Sequence, residues 1–272
     1  MPALDDIFGW PGENPAAAVT DARATIAEAG AVEYRHAWAS VTKLVTAYCI
    51  LELAENGDLD LDEPAGPPGS TIRHLLSHAS GVGYADAAPI VLAPPGRRRI
   101  YSNAAYDILG ELAAVRGQQP FAEQVAKSIF EPLGMNATSI EGTASSGAIG
   151  PVSDLVRFAR ELLAPTLISA ETLAEATSVA YAGLEGMLPG FGRHNPNDWG
   201  LGFELKDSKE PHWTGHTNAP TTFGHFGQSG SFLWVDPEAG LACVALTGVP
   251  FGPWAARAWP TFSDHVVAEF GA

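Results

Sequence analysis

Ser40 and Lys43 stand three positions apart in a stretch that is otherwise almost wholly apolar, WASVTKLVTAYCILELAENG, residues 38–57. On a helix, positions i and i+3 share one face about a turn apart. Ser40 falls at the expected first turn, where unpaired N–H groups and the positive end of the helix dipole suit a developing oxyanion. An amine packed into an apolar wall has its charged form disfavoured, so it can take a proton from a serine hydroxyl near neutral pH. The pair therefore reads as a nucleophile with its base. The competing reading is an N-cap serine beside a lysine that snorkels to water. Against that, no acidic residue lies one helical turn from Lys43, and the chain has only four lysines in all.

Two further stretches carry chemistry. IYSNAAYDILG puts Tyr101 and Asn103 at the start of a second helix, and FGHFGQSGSFLWVDP is a glycine-rich strand with His225 and Gly227. Taken singly, Tyr101 reads as an interface aromatic, Asn103 as an N-cap and His225 as a core histidine. Taken in order, Ser-x-x-Lys, Tyr-x-Asn and His-x-Gly resemble the serine β-lactamase and penicillin-binding-protein superfamily. The likeness is greatest to the branch of class C β-lactamases, D-alanyl-D-alanine carboxypeptidases and family VIII esterases. TIRHLLSHASGV, EPLGM, PVSDLVRFA and WGLGFEL fall in family-like order around the three motifs, and the resemblance covers nearly all of residues 15–270.

The resemblance implies a role for each motif residue. Ser40 is expected to form an acyl-enzyme, Lys43 to help deprotonate it, and Tyr101 to shuttle protons; whether Lys43 or Tyr101 is the principal base stays open. Asn103 matches the asparagine that binds the lysine and the substrate's acyl amide. Gly227 is expected to let substrate lie against the strand edge, and the N–H of Gln228 to join that of Ser40 as an oxyanion hole. In the family the third motif is Lys-Thr-Gly or a His-x-Gly variant, and here it is His225-Phe226-Gly227. A permanent cation becomes a switchable one, and a carboxylate-holding hydroxyl becomes an aromatic ring. Both departures favour an ester or amide of another acyl compound over β-lactams and peptidyl carboxylates. The expected activity is esterase-like with weak or no β-lactamase activity. The alternatives are a true β-lactamase or a D-Ala-D-Ala carboxypeptidase or D-aminopeptidase, and a catalytically silent binding protein on the same scaffold.

Other candidates read more blandly. Of Arg97, Arg98 and Arg99, at least two are expected to be solvated, with one able to approach the cleft. His74 and His78 read as helix surface or an interface. His212 and His216 lack the fixed spacing of a zinc site, so no metal is expected. GQSGS at 227–231 differs from a nucleophile elbow in its fifth residue, and Ser229 is expected on a strand lining the cleft. No cofactor is implied, because nucleophile, base and oxyanion donors all come from the chain.

Elements of both kinds must position these groups. Residues 16–30 read as a hairpin turning near Asp21, VEYRHAW as a third strand, and residues 40–57 as a helix buried on every face. The middle reads as helices over 71–81, 102–117 and beyond, with long loops at 82–100 and 181–199. Strand patterns return from DWGLGFEL to LACVALTG, and a last helix is expected from Pro260. Strands flanking a helical middle indicate an α+β fold. The expectation is a β-lactamase-like antiparallel sheet flanked by helices, formed by 1–62 with 197–272, and an inserted helical unit at 63–196, with the site between them. A net charge of −16 argues against nucleic acid and anionic lipid as partners. Cys49 and Cys243 read as buried free thiols, and MPALDDIFGWPGENP shows no signal-peptide pattern, so a cytoplasmic location is expected. The expected partner is a small-molecule acyl substrate; oligomeric state is left open.

Overall fold

The computed structural model describes residues 2–84 and 90–271. In chain order its elements are β1 (Ala16–Thr20), β2 (Thr25–Gly30), β3 (His36–Ala37), α1 (Thr42–Glu55), α2 (Ile72–Leu76), α3 (Asn103–Arg116) and α4 (Phe121–Val125). There follow β4 (Ser139–Ile140), β5 (Ala148–Gly150), α5 (Val152–Glu161), α6 (Ala170–Ala176), β6 (Gly186–Leu188) and β7 (Gly192–His194). The chain closes with β8 (Glu204–Leu205), β9 (Phe223–Gly227), β10 (Ser231–Asp236), β11 (Leu241–Leu246) and α7 (Pro253–Phe270).

Strands from the two ends of the chain join in one six-stranded sheet of order β2-β1-β11-β10-β9-β8. Its pairings are antiparallel, with Val19 opposite Cys243 and Leu233 opposite His225. The central strands are apolar on both faces, which is why AAAVT and LACVAL read as continuous runs rather than alternations. Ala16, Ala18, Val244 and Leu233 face one core with α1 and α5; Ala17, Val19, Cys243 and Trp234 face the other, under α7. A sheet covered by helices on both faces, with a mostly helical chain between its end strands, is the expected α+β architecture.

Four local expectations meet a different outcome. VEYRHAW contributes only the two residues of β3, which pair with β5 in a separate three-stranded sheet. The helix expected over 71–81 is capped by Thr71 but stops at Leu76. His78 has φ +56°, a left-handed conformation that no helix continues. The last helix starts at Pro253, not Pro260. Extended Gly252 leads into Pro253 at the first turn, where a proline needs no N–H partner, and Pro260 is carried inside the helix. Ser229 sits in the turn between β9 and β10, its hydroxyl donating to Ala37 O at 2.7 Å, so it is not a strand residue. Of the loop expected over 82–100, residues 85–89 lie outside the described residues. Cys49 and Cys243 are free and buried. Among the described residues no helix is long and apolar enough to cross a membrane.

Candidate active site

Ser40 lies in a single tight 3-10 turn, Ala39–Val41, directly ahead of α1. Ala39 has φ +47°, a sparsely allowed conformation for a residue with a side chain. Trp38 anchors the turn from below: it is fully buried, and its indole N–H donates to Gly150 O at 3.0 Å. The strained turn therefore stands on a rigid base, an arrangement that clusters at functional sites.

Lys43 is wholly buried in α1. Its amine reaches Asn103 Oδ1 at 2.6 Å, Ser145 O at 2.9 Å and Ser40 Oγ at 3.3 Å. It also stands 4.9 Å from the ring centre of Tyr101 and 5.3 Å from that of Tyr106. Loss of hydration pushes its pKa from 10.5 down to about 7, against an opposing pull from Asp107. Ser102 caps α3, its hydroxyl accepting from Ala105 N at 3.0 Å. That leaves the neighbouring Asn103 side chain free of a capping role and turned to Lys43.

Tyr101 is half-buried among His78, Tyr84 and Trp199, with ring centres 4.5 to 5.9 Å away. Burial lifts its phenol above the ordinary value, only partly offset by Ser40 beside it. Its hydroxyl lies 3.4 Å from His225 Nε2. His225 Nδ1 donates to Phe226 O at 2.6 Å, which leaves Nε2 as an acceptor facing the phenol. Burial first, and Lys43 second, push His225 down to about 3. The imidazole is therefore neutral across the physiological range, and the switchable cation expected at this position is not one there.

Gly227 ends β9 against the Ser40 turn. A Cβ at Gly227 would meet Trp38 O and Ser231 Oγ at 2.4 Å and Ser40 N at 3.1 Å. The missing side chain thus lets the strand end approach the backbone of Ser40, with the exposed Gln228 next in line. A narrow cleft opens beside these groups, walled by Tyr84, Trp199, Leu188, Pro189 and Phe226.

Several contributors have no counterpart among the expected site residues. His78 is fully buried rather than on a helix surface; its Nδ1 accepts from Ser102 N at 3.2 Å while its ring packs on Tyr101. Arg99 is also buried, and its guanidinium donates to Ser77 O, Asn197 O, Ala180 O and Tyr181 O at 2.5 to 3.2 Å. It ties together the segments around Tyr101 rather than greeting substrate. Arg97 and Arg98 are exposed. Glu204, at the cleft floor, takes Lys209 Nζ at 2.5 Å, His212 Nε2 at 2.8 Å and the Trp213 indole N–H at 2.9 Å. Burial raises its carboxyl, but His212 and Lys209 outweigh that and hold it at about 2. His216 is apart from this network, on the surface with Asp264 at 3.0 Å. The HASG stretch was the available signal for His78; nothing in the local sequence marks Arg99, Glu204 or Lys209 as buried.

A Ser-x-x-Lys pair, a tyrosine and a His-x-Gly strand are thus assembled around one cleft. A sequence-family profile described as Beta-lactamase matches residues 16–267. The chain belongs to the β-lactamase family. Within that family it is a serine hydrolase related to esterases and carboxypeptidases. A Mycobacterium bovis protein whose crystal structure is described as a β-lactamase is 47% identical, with a TM-score of 0.96 over 99% of this chain and 100% of that one. The Burkholderia gladioli esterase EstB is 24% identical, covering 78% of this chain and 77% of that protein. The Escherichia coli D-alanyl-D-alanine-carboxypeptidase/endopeptidase AmpH is 27% identical over 37% of this chain, a match that spans 35% of the AmpH length.

Proposed function

We propose that this β-lactamase-family serine hydrolase acts through an acyl-enzyme on Ser40, with Lys43 as the base, and prefers neutral esters to β-lactams. The observation that carries the reading is the Lys43 amine: buried, 3.3 Å from Ser40 Oγ and with a pKa of about 7. Near neutral pH a large fraction is unprotonated and within reach of the hydroxyl proton. Tyr101, held above its ordinary pKa, is a poor resting phenolate and a better proton carrier. In the reaction Ser40 Oγ attacks the carbonyl as its proton passes to Lys43 Nζ. The N–H groups of Ser40 and Gln228 receive the oxyanion. The Tyr101 hydroxyl hands a proton to the departing alkoxide and is replenished from Lys43. Water then repeats the sequence on the acyl-enzyme and frees Ser40.

The ester preference is supported by what flanks the cleft. His225 is neutral where a fixed cation would hold a substrate carboxylate, and Phe226 offers no hydroxyl. The second reading, a true β-lactamase, is favoured by the description of the 47% identical Mycobacterium bovis protein. Intact-mass analysis after incubation with a fluorophosphonate and, separately, a penicillin tests both. An adduct on Ser40 from the first alone, with p-nitrophenyl butyrate turned over well above nitrocefin, is the expected result. Nitrocefin turned over faster than the ester would install the second reading, and an unlabelled Ser40 would end both.

A further inference from the structure

Lys43 is gripped from two sides, and one side is assigned no role by the reading above. Asn103 supplies a side-chain oxygen from α3; the other strong acceptor is the main-chain carbonyl of Ser145, at 2.9 Å. A carbonyl in a turn is only as fixed as the turn itself. This one is pinned at three points. Thr46 of α1 donates its hydroxyl to Ala144 O at 2.6 Å. Gly147 N closes back on Thr143 O at 2.7 Å. Asp107 Oδ1 accepts the Ser145 N–H at 3.0 Å. Asp107 lies four residues beyond Asn103 on α3, so one helix face presents both the amide that binds the amine and the carboxylate that holds the carbonyl on its far side.

We propose, building on Lys43 as the base, that Asp107 is a positioning residue: it anchors the Ala144–Ser145 turn that caps the amine and sets a negative charge behind that cap. The groups surrounding Lys43 leave it this part. Ser40, Asn103, Tyr101 and Tyr106 bring hydroxyls, an amide and rings. His78 and His225 both feel Lys43, and burial pushes both below their ordinary values. Asp107 is the acid whose field favours the ammonium. Without it, an amine stripped of water would lose the charge that opposes its desolvation, and its proton affinity would fall further.

Charge and anchoring separate in two variants. Asp107→Asn keeps an oxygen to accept the Ser145 N–H and removes the charge; Asp107→Ala removes both. The chain has four lysines, so protein carrying 13C at lysine Cε gives four signals to follow by NMR through a pH titration, with Lys43→Met identifying its own by disappearance. In the parent, the Lys43 signal should titrate near pH 7. In Asp107→Asn its midpoint should fall by roughly half a pH unit or more. The acid limb of kcat/KM for p-nitrophenyl butyrate should move down with it. Asp107→Ala should add a loss of kcat of about tenfold or more at every pH, from a carbonyl no longer held. A Lys43 midpoint unchanged in Asp107→Asn overturns the proposal, since a purely structural contact survives that change. A midpoint that moves while the activity limb stays put upholds the part of Asp107 and removes Lys43 as the base. If Asp107→Ala does not fold, the Asp107→Asn titration decides alone.

Discussion

At Lys43 the needs of chemistry and stability oppose each other, and the conflict has a measurable size. Burial lowers the amine from 10.5 to about 7 in the folded chain, while the unfolded chain keeps the ordinary value. Between about pH 7 and pH 10.5 the unfolded state holds a proton that the folded state has released, so stability rises with pH across that window. Below it both states are protonated and the penalty is complete. At about 1.4 kcal/mol per pH unit of pKa difference, the full penalty approaches ~5 kcal/mol, is about 4 at pH 7 and about 2 at pH 9. Lys43→Met preserves length and removes the titration. It also strands Asn103 Oδ1 and Ser145 O without their donor, but that cost does not vary with pH. Urea unfolding of parent and variant in parallel, from about pH 5 to pH 9, isolates the term, because titrations common to both cancel. The parent should gain about 2 kcal/mol on the variant between pH 7 and pH 9, and nothing between pH 5 and pH 6. Parallel curves would refute the claim that this amine is held neutral by burial, and with it the electrostatic case for Lys43 as a base. The variant should also lose ester hydrolysis throughout.

Two other substitutions probe the frame around the site. Gly227→Ala puts a carbon 2.4 Å from Trp38 O, so β9 must retreat from the Ser40 turn; kcat/KM for p-nitrophenyl butyrate should fall about 100-fold or more while urea unfolding shows a loss of only ~1–3 kcal/mol. Arg99→Met leaves two buried carbonyls, of Ser77 and Asn197, and two half-buried ones, of Ala180 and Tyr181, without this donor, and should cost roughly 2–4 kcal/mol by the same unfolding assay, with Arg99→Lys recovering only part because one ammonium cannot span the four acceptors.

What was legible in the sequence was what local pattern and motif order carry. A helix apolar on all faces can only be buried, so the burial of Lys43 could be read from the sequence alone; the cap of α3 could not, since Asn103 reads as the N-cap and Ser102 takes that place. The joining of the end strands followed from strand patterns at both ends of the chain flanking a helical middle. What was illegible depends on direction at single residues. His78 looks like one more histidine on α2 until its φ of +56° ends the helix and swings the ring onto Tyr101. Arg99 stands in a run of three arginines that composition alone calls solvated; only the fold brings four carbonyls to it. Glu204, Lys209 and His212 are eight residues apart at most, yet nothing in FELKDSKEPHW announces that they close on one another in a dry interior.

The third motif shows how these levels depend on one another. A fixed cation at position 225 would face Lys43 across a site with little water, and two ammonium groups there would each lower the proton affinity of the other. The imidazole avoids that conflict. Its Nδ1–H is committed to Phe226 O, burial keeps it neutral, and it offers the Tyr101 hydroxyl a lone pair instead of a charge. The pKa of Lys43 is then set by burial against Asp107, without a competing cation on the opposite wall. The same neutrality removes the natural anchor for a substrate carboxylate. On the proposed reading, histidine at position 225 therefore serves both ends: it adds no charge to what burial and Asp107 set for Lys43, and it offers none to an anionic substrate.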